Sequence, residues 1–89
     1  MKITVDISLY PLDSDYLPSI KAFIRRLRGC DGLELVTNQL STQIRGEFDQ
    51  VTSALNSCMH ASMESGQKMV FVTRYLNSDL EIGRLPQID

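Results

Sequence analysis

The sequence predicts an α+β fold of the ferredoxin-like class, in which two helices pack on one face of a four-stranded antiparallel sheet. Three observations lead to this prediction. Four segments have strand character and two have helical periodicity, their order is β-α-β-β-α-β, and 89 residues can build one small core but no second domain. We expect the domain to comprise residues 1–76, followed by a C-terminal tail over residues 77–89.

The first strand and the first helix have clear periodic patterns. Apolar and polar residues alternate over residues 3–10, which is typical of a strand with one buried face. Residues 13–15 offer side chains that can cap the following helix, and Pro18 suits its first turn. The apolar residues of this helix recur at steps of three and four positions: Leu17, Ile20, Ile24 and Leu27.

The second half of the chain predicts a hairpin, a helix and a last strand. Strands over residues 33–37 and 41–46 flank a short turn, and Gly46 is expected to allow the bend into the next helix. Asp49 can cap this helix, whose apolar stripe consists of Val51, Ala54, Leu55, Cys58 and Ser62. Residues 68–76 form the fourth strand, and the aperiodic tail is expected to be frayed or held by a partner chain.

One face of the predicted sheet has no helix to cover it. If the apolar residues of the first strand face the helices, we expect the open face to carry Asp6, Ser8, Tyr10, Ser41, Gln43, Arg45, Phe71, Thr73 and Tyr75. A mixture of aromatic, hydroxyl and charged side chains suits either a ligand or a second sheet. Because so small a domain gains from additional burial, we expect a homodimer or a dimer of dimers.

The composition argues against several classes of function. A net charge of -2 gives no attraction to nucleic acid or to an anionic membrane surface. The nucleotide-binding, serine hydrolase and zinc protease motifs are missing from the sequence, which favours a protein that is not an enzyme. His60 falls on the solvent side of the second helix, and one histidine with two dispersed cysteines does not provide a metal site.

The sequence also favours a cytoplasmic location without insertion into a membrane. Met1 and Lys2 lead directly into the first strand, so the apolar segment of a signal peptide is not seen. No stretch approaches the ~18 consecutive apolar residues of a membrane span. Cys30 and Cys58 are too few for the disulfide framework of a small secreted domain, and we predict that both are reduced thiols.

Asp6 is the most informative polar residue, because a carboxylate inside a strand costs free energy unless it is solvated or paired. Arg45 could pair with it across the first and third strands. Alternatively, the carboxylate could contact the amine or the cationic ring of a small heterocycle, while Tyr10, Phe71 or Tyr75 stacks on that ring. The residues alone leave both interpretations open.

Four short strings resemble a known family of proteins. The chain reads SLYPL from Ser8, LSTQIRG from Leu40, DQV from Asp49 and HA from His60. In their order and spacing these strings resemble the YkoF family of thiamine/hydroxymethylpyrimidine-binding proteins, from Ile3 to about residue 77. The family string has Met where this chain has Leu at position 12. The family's namesake also carries two such repeats, so a homodimer would have to replace the tandem pair.

The resemblance implies a ferredoxin-like fold that binds thiamine or hydroxymethylpyrimidine for uptake or handling of the vitamin, without catalysis or a further cofactor. The candidate ligand-binding residues are Asp6, Ser8, Tyr10, Asn38, Ser41, Thr42 and Arg45. Arg45 is expected to orient Asp6 rather than to touch the ligand. One alternative is a regulatory domain that senses amino acids at a subunit interface. Another is a small enzyme that uses Tyr10, Asp6 or His60 as acid or base.

Overall fold

The computed structural model describes residues 1–88 and has the predicted element order. Its strands are β1 (Lys2–Pro11), β2 (Glu34–Thr37), β3 (Thr42–Glu47) and β4 (Met69–Leu76), and its helices are α1 (Leu17–Arg28) and α2 (Phe48–Met63). The strands form one antiparallel sheet in the order β2-β3-β1-β4. The ferredoxin-like fold is thus confirmed. Within the described residues, no helix has both the length and the hydropathy needed to cross a lipid bilayer.

The core lies between one face of the sheet and the two helices. The alternating apolar residues of β1 are all buried: Ile3, Val5, Ile7 and Leu9. Every residue of the predicted stripe on α2 is buried as well, which confirms both patterns. Helix α1 contributes Phe23 and Leu27, whereas the predicted first member of its stripe, Leu17, is half exposed. The spacing therefore predicted the helix but missed Phe23.

Neither helix begins with the predicted side-chain cap. Helix α1 follows Tyr16 and α2 follows Glu47, and neither side chain makes a capping hydrogen bond. Asp13 instead accepts hydrogen bonds from the backbone N–H of Asp15 and from Nε2 of Gln67, each at 3.2 Å. It therefore joins the loop before α1 to the loop before β4, a long-range contact that local capping rules do not anticipate.

The pairing of β4 places different residues on the open face from those predicted. Residues directly opposite each other in a sheet share a face. The register with β1 therefore puts Val70, Val72, Arg74 and Leu76 on the open face. Phe71 faces the helices, where its ring centroid lies 5.0 Å from that of Phe23. The prediction of Phe71, Thr73 and Tyr75 was wrong because both alternating sets of β4 contain apolar residues, so alternation alone could not select the buried one.

The C-terminal segment, residues 77–88, folds back onto the open face of its own sheet. Thr4 Oγ1 donates a hydrogen bond to the carbonyl of Ser78 (2.8 Å) and accepts one from the backbone N–H of Leu80 (3.0 Å). On the neighbouring strand, Arg45 Nε lies 2.6 Å from Asp79 Oδ1. The segment is therefore held by side chains of its own chain, which differs from the expectation of a frayed or partner-held tail.

Gly46 lies inside β3, facing α2, and its φ is not positive. A Cβ at this position would lie 3.2 Å from the carbonyl oxygen of Gly32 and 3.3 Å from Cγ2 of Val51, so close packing is the reason for glycine here. We expect Gly46→Ala to lower the free energy of unfolding by about 1–3 kcal/mol, as overpacking of a core does. Urea denaturation measures this change.

Gly29→Ala is the matched control for this substitution. Gly29 has helical backbone angles (φ −79°, ψ −6°), and a Cβ there would come no closer than 3.4 Å to the nearest backbone oxygen. We expect the free energy of unfolding of Gly29→Ala to equal or slightly exceed that of the wild type, since alanine restricts the unfolded chain more than glycine does. A wild-type unfolding midpoint for Gly46→Ala would show that the α2–β3 contact tolerates a methyl group.

Candidate functional site

A cleft of about 410 Å³ lies where the end of β1 meets the start of α1 and the turn between β2 and β3. Three aromatic side chains line it: Tyr10, Tyr16 and Phe23. Its polar lining includes Ser8, Asn38, Gln39, Ser41 and Thr42. Ligand sites commonly have volumes of ~300–1,000 Å³ and combine apolar walls with a few polar groups. This cleft has the size and the lining of a site for a small aromatic molecule.

Asn38 organises the β2–β3 turn at the edge of the cleft. Its Oδ1 accepts hydrogen bonds from the backbone N–H groups of Leu40 (3.0 Å) and Ser41 (3.2 Å), and its own N–H donates to the carbonyl of Ser41 (3.0 Å). Asparagine commonly supports turns in this way. The side-chain Nδ2 has no hydrogen-bond partner among residues 1–88.

Ser8 and Thr42 connect the turn to the sheet. Ser8 Oγ donates to the carbonyl of Leu40 at 3.2 Å. Thr42 is buried, and its hydroxyl lies 3.1 Å from that of Thr37 across the β2–β3 pair. These hydroxyls therefore fix the shape of the cleft, whereas the half-buried Ser41 and the exposed Tyr10 keep polar or aromatic surface available to a ligand.

The structure divides the predicted site residues into two groups. Ser8, Tyr10, Asn38, Ser41 and Thr42 come together around the cleft. The remaining two, Asp6 and Arg45, lie elsewhere: Asp6 borders a second cavity of about 480 Å³ beneath the C-terminal segment, and Arg45 lines a shallow depression near the start of β1.

The predicted ion pair between Asp6 and Arg45 was wrong. The register places Gln43 opposite Asp6, and Arg45 opposite Thr4. Asp6 Oδ2 instead accepts hydrogen bonds from Nε (3.0 Å) and Nη2 (2.9 Å) of Arg74, its direct neighbour on β4. Arg45 therefore does not orient Asp6, because a nearer cation satisfies that carboxylate.

Arg45 is surrounded by three carboxylates. Besides the bond to Asp79, its Nη1 lies 3.1 Å from Glu34 Oε2 and 3.1 Å from Glu81 Oε1. The hydrogen bond to Asp79, aided by the three negative charges, raises the pKa of Arg45 above its ordinary value. The same hydrogen bond holds the pKa of Asp79 below its usual range. Arg45 is thus the cation that anchors the C-terminal segment.

His60 is exposed on α2, as the helical pattern predicted, and its Nδ1 lies 2.6 Å from Oε1 of Glu64 one turn later. It does not line the cleft. Sequence reasoning instead missed Tyr16 and Phe23, which form the helix side of the site. The predicted apolar stripe of α1 contained neither residue, so the helical spacing alone did not identify them.

The chain is similar to a known protein family and to several solved structures. The model of the YKOF-related family matches residues 2–78. A protein from Streptococcus pneumoniae superposes with a TM-score of 0.81 at 17% identity over 90% of both chains. One from Methanocaldococcus jannascii has a TM-score of 0.76 at 19% identity, covering 88% of this chain and 81% of that one.

A third solved structure comes from Thermotoga maritima and is provisionally described as a thiamine biosynthesis/salvage protein. It superposes with a TM-score of 0.75 at 19% identity, over 97% of this chain and 90% of that one. No curated protein matches the chain. At these identities the structural comparisons establish a shared fold.

Proposed function

Because the chain belongs to the YKOF-related family, we propose that it binds thiamine or its hydroxymethylpyrimidine moiety and catalyses no reaction on it. The description of the Thermotoga maritima protein supports a thiamine-related role. The observation that carries the proposal is the cleft at the end of β1, where five of the candidate residues meet. We further propose that the protein serves uptake or handling of the vitamin in the cytoplasm.

The lining of the cleft fits the pyrimidine half of thiamine. The pyrimidine offers ring nitrogens that accept hydrogen bonds and an exocyclic amine that donates them, which Asn38 Nδ2 and the Ser41 hydroxyl can match. Tyr10 and Tyr16 provide ring faces for stacking. None of the residues that the structure places around the cleft is charged. Burying the cationic thiazolium there would cost free energy, so we place the neutral pyrimidine inside.

Calorimetric titration with three compounds tests this assignment: hydroxymethylpyrimidine, thiamine and the isolated hydroxyethylthiazole. We expect heat of binding from the first two and none from the thiazole, because only the first two carry the pyrimidine. Ligand at ~100 times its dissociation constant stabilises a fold by ~2.7 kcal/mol, which corresponds to a rise of roughly 10 °C or more in Tm for a domain of this size.

Three results would contradict the proposal that the protein binds the pyrimidine without catalysis. Absence of heat and of thermal shift with both pyrimidine compounds at millimolar concentration would refute the proposal and leave the fold unaffected. Stabilisation by an amino acid and not by the pyrimidines would identify a regulatory sensing domain instead. Mass spectrometry of the recovered compounds must show them unchanged, since any turnover would contradict a purely binding role.

We also propose that the protein forms a homodimer or a dimer of dimers through the open face of the sheet. Val70 and Val72 are 45% and 50% exposed on this face, close to Tyr10, and isolated soluble domains seldom leave such an apolar patch uncovered. Analytical ultracentrifugation at tens of micromolar should show at least a dimer, and Val72→Lys should shift it towards monomer. A monomeric wild type would remove this part of the proposal.

A further inference from the structure

The two cysteines lie side by side although they are 28 positions apart in the sequence. The Sγ atoms of Cys30 and Cys58 are 3.9 Å from each other, and both are free thiols. Cys30 follows the C-terminal end of α1, and Cys58 lies inside α2 against the core. Neither lines the proposed ligand site.

We propose that Cys30 and Cys58 are a redox-active pair that closes to an intramolecular disulfide by exchange with a small disulfide such as oxidised glutathione. A disulfide has an S–S distance of about 2.05 Å, so the sulfurs must approach by roughly 2 Å. Cys30 can supply this movement because it lies in a loop just outside the helix. Its thiol makes one further hydrogen bond, of 3.4 Å to the carbonyl of Arg26, and its backbone N–H donates to the carbonyl of Leu27 at 3.0 Å.

The two sulfurs differ in how readily they react. Cys30 is half-buried, whereas Cys58 is buried in the core cluster. Burial, together with the hydrogen bond to Cys30, raises the pKa of the Cys58 thiol to about 11. The thiolate is the reactive form of cysteine, and both burial and the raised pKa disfavour it at Cys58. Cys30 is therefore the attacking residue and Cys58 the one that completes the bond.

The reaction proceeds in two exchange steps. Cys30 loses its proton and attacks one sulfur of the small disulfide, which forms a mixed disulfide and releases the first small thiolate. Cys58 then loses its proton and attacks the sulfur of Cys30, which releases the second small thiolate. Both thiolates take up the protons that the cysteines lost. The protein is oxidised by two electrons, and one small disulfide is reduced to two small thiols.

The crosslink joins the end of α1 to the middle of α2. It closes a loop that contains β2 and β3, and loop closure of this length stabilises a protein mainly by restricting the unfolded chain. The ligand cleft lies at the opposite end of α1, near Tyr16. Oxidation is therefore expected to strengthen the fold while leaving the cleft open, so this inference does not depend on the proposed ligand.

The test is incubation of the full-length protein with oxidised glutathione, followed by intact-mass analysis and a count of free thiols. We expect a loss of two hydrogen atoms in mass, two thiols falling to none, and a rise in Tm of about 10 °C that dithiothreitol reverses. Cys58→Ala should stop at a stable glutathione adduct on Cys30, because no second thiol can displace it. Cys30→Ser should remain largely unreacted.

Two results would overturn the proposal. One is a stable glutathione adduct on the wild-type protein, which would show that Cys58 cannot reach Cys30. The other is a covalent dimer on a non-reducing gel, which would show that the cysteines pair between chains. Because mass and thiol count require no ligand, failure of the pyrimidine titrations would not affect this result.

Discussion

Tyr10→Ala is expected to weaken the binding of hydroxymethylpyrimidine about tenfold or more. Tyr10 lines the cleft and leaves 54% of its surface exposed, so its ring face is available to a ligand without rearrangement of the core. Stacking of a heterocyclic base on an aromatic side chain is worth about 1–3 kcal/mol by alanine substitution. Each 1.4 kcal/mol is a factor of ten in the dissociation constant, which calorimetry measures directly.

Tyr75→Ala is the matched control for the loss of this ring. Tyr75 is also 54% exposed and also lies on a strand. It belongs to β4, where it pairs with Val5 of β1, and it does not line the cleft. We expect it to bind the pyrimidine as tightly as the wild type. Both variants should keep the wild-type circular dichroism, which separates a binding defect from a change in folding. Equal affinities for the two variants would remove Tyr10 from the site.

The sequence predicted those elements that have one strongly buried face. In β1 and α2 most apolar residues fall on a single side, so alternation in the strand and a stripe on the helix identify the core without knowledge of the fold. β4 has apolar residues on both sides, and only its hydrogen-bonded register with β1 decides which set is covered. That register is a property of the assembled sheet, which a local pattern does not contain.

In the candidate site, too, local patterns were predictable and contacts between distant segments were not. The cleft residues at the end of β1 and in the β2–β3 turn were predictable because each group lies within one short string of the sequence. The partners of Asp6 and Arg45 were not, since they come from β4 and from the C-terminal segment. Thr4 shows the same limit: it lies on the open face but is only 7% exposed, because a segment without periodicity covers it.

Thr4→Val should release the C-terminal segment from the sheet. The substitution preserves the shape of a buried side chain but removes the hydroxyl that bonds to both Ser78 and Leu80. A hydrogen bond contributes about 0.5–1.5 kcal/mol net, so the loss of two should destabilise the docked segment by about 1–3 kcal/mol. Hydrogen exchange at the Leu80 amide, which donates to this hydroxyl, should become at least several-fold faster while amides of β1 and β3 stay protected.

Thr52→Val provides the control for the change of residue type. The Thr52 hydroxyl bonds to the carbonyls of Phe48 and Asp49 within α2 and makes no hydrogen bond to the described part of the C-terminal segment. Its removal should leave exchange at Leu80 unchanged. If Thr4→Val also left that exchange unchanged, the ion pairs of Arg45 alone would be sufficient to hold the segment.

The pH dependence of docking separates the hydroxyl from the ion pairs. The Arg45 guanidinium holds the pKa of Asp79 below its ordinary value of 3.8. A carboxyl with a lowered pKa stabilises the docked state above its ordinary pKa, and this contribution is lost as the pH falls through the lower, docked value. In wild-type protein, the NMR shifts of Asp79 should therefore titrate below pH 3.8. In Thr4→Val we expect the segment to detach more often, so the same shifts should titrate closer to 3.8. Identical curves for the two proteins would show that Thr4 does not control docking.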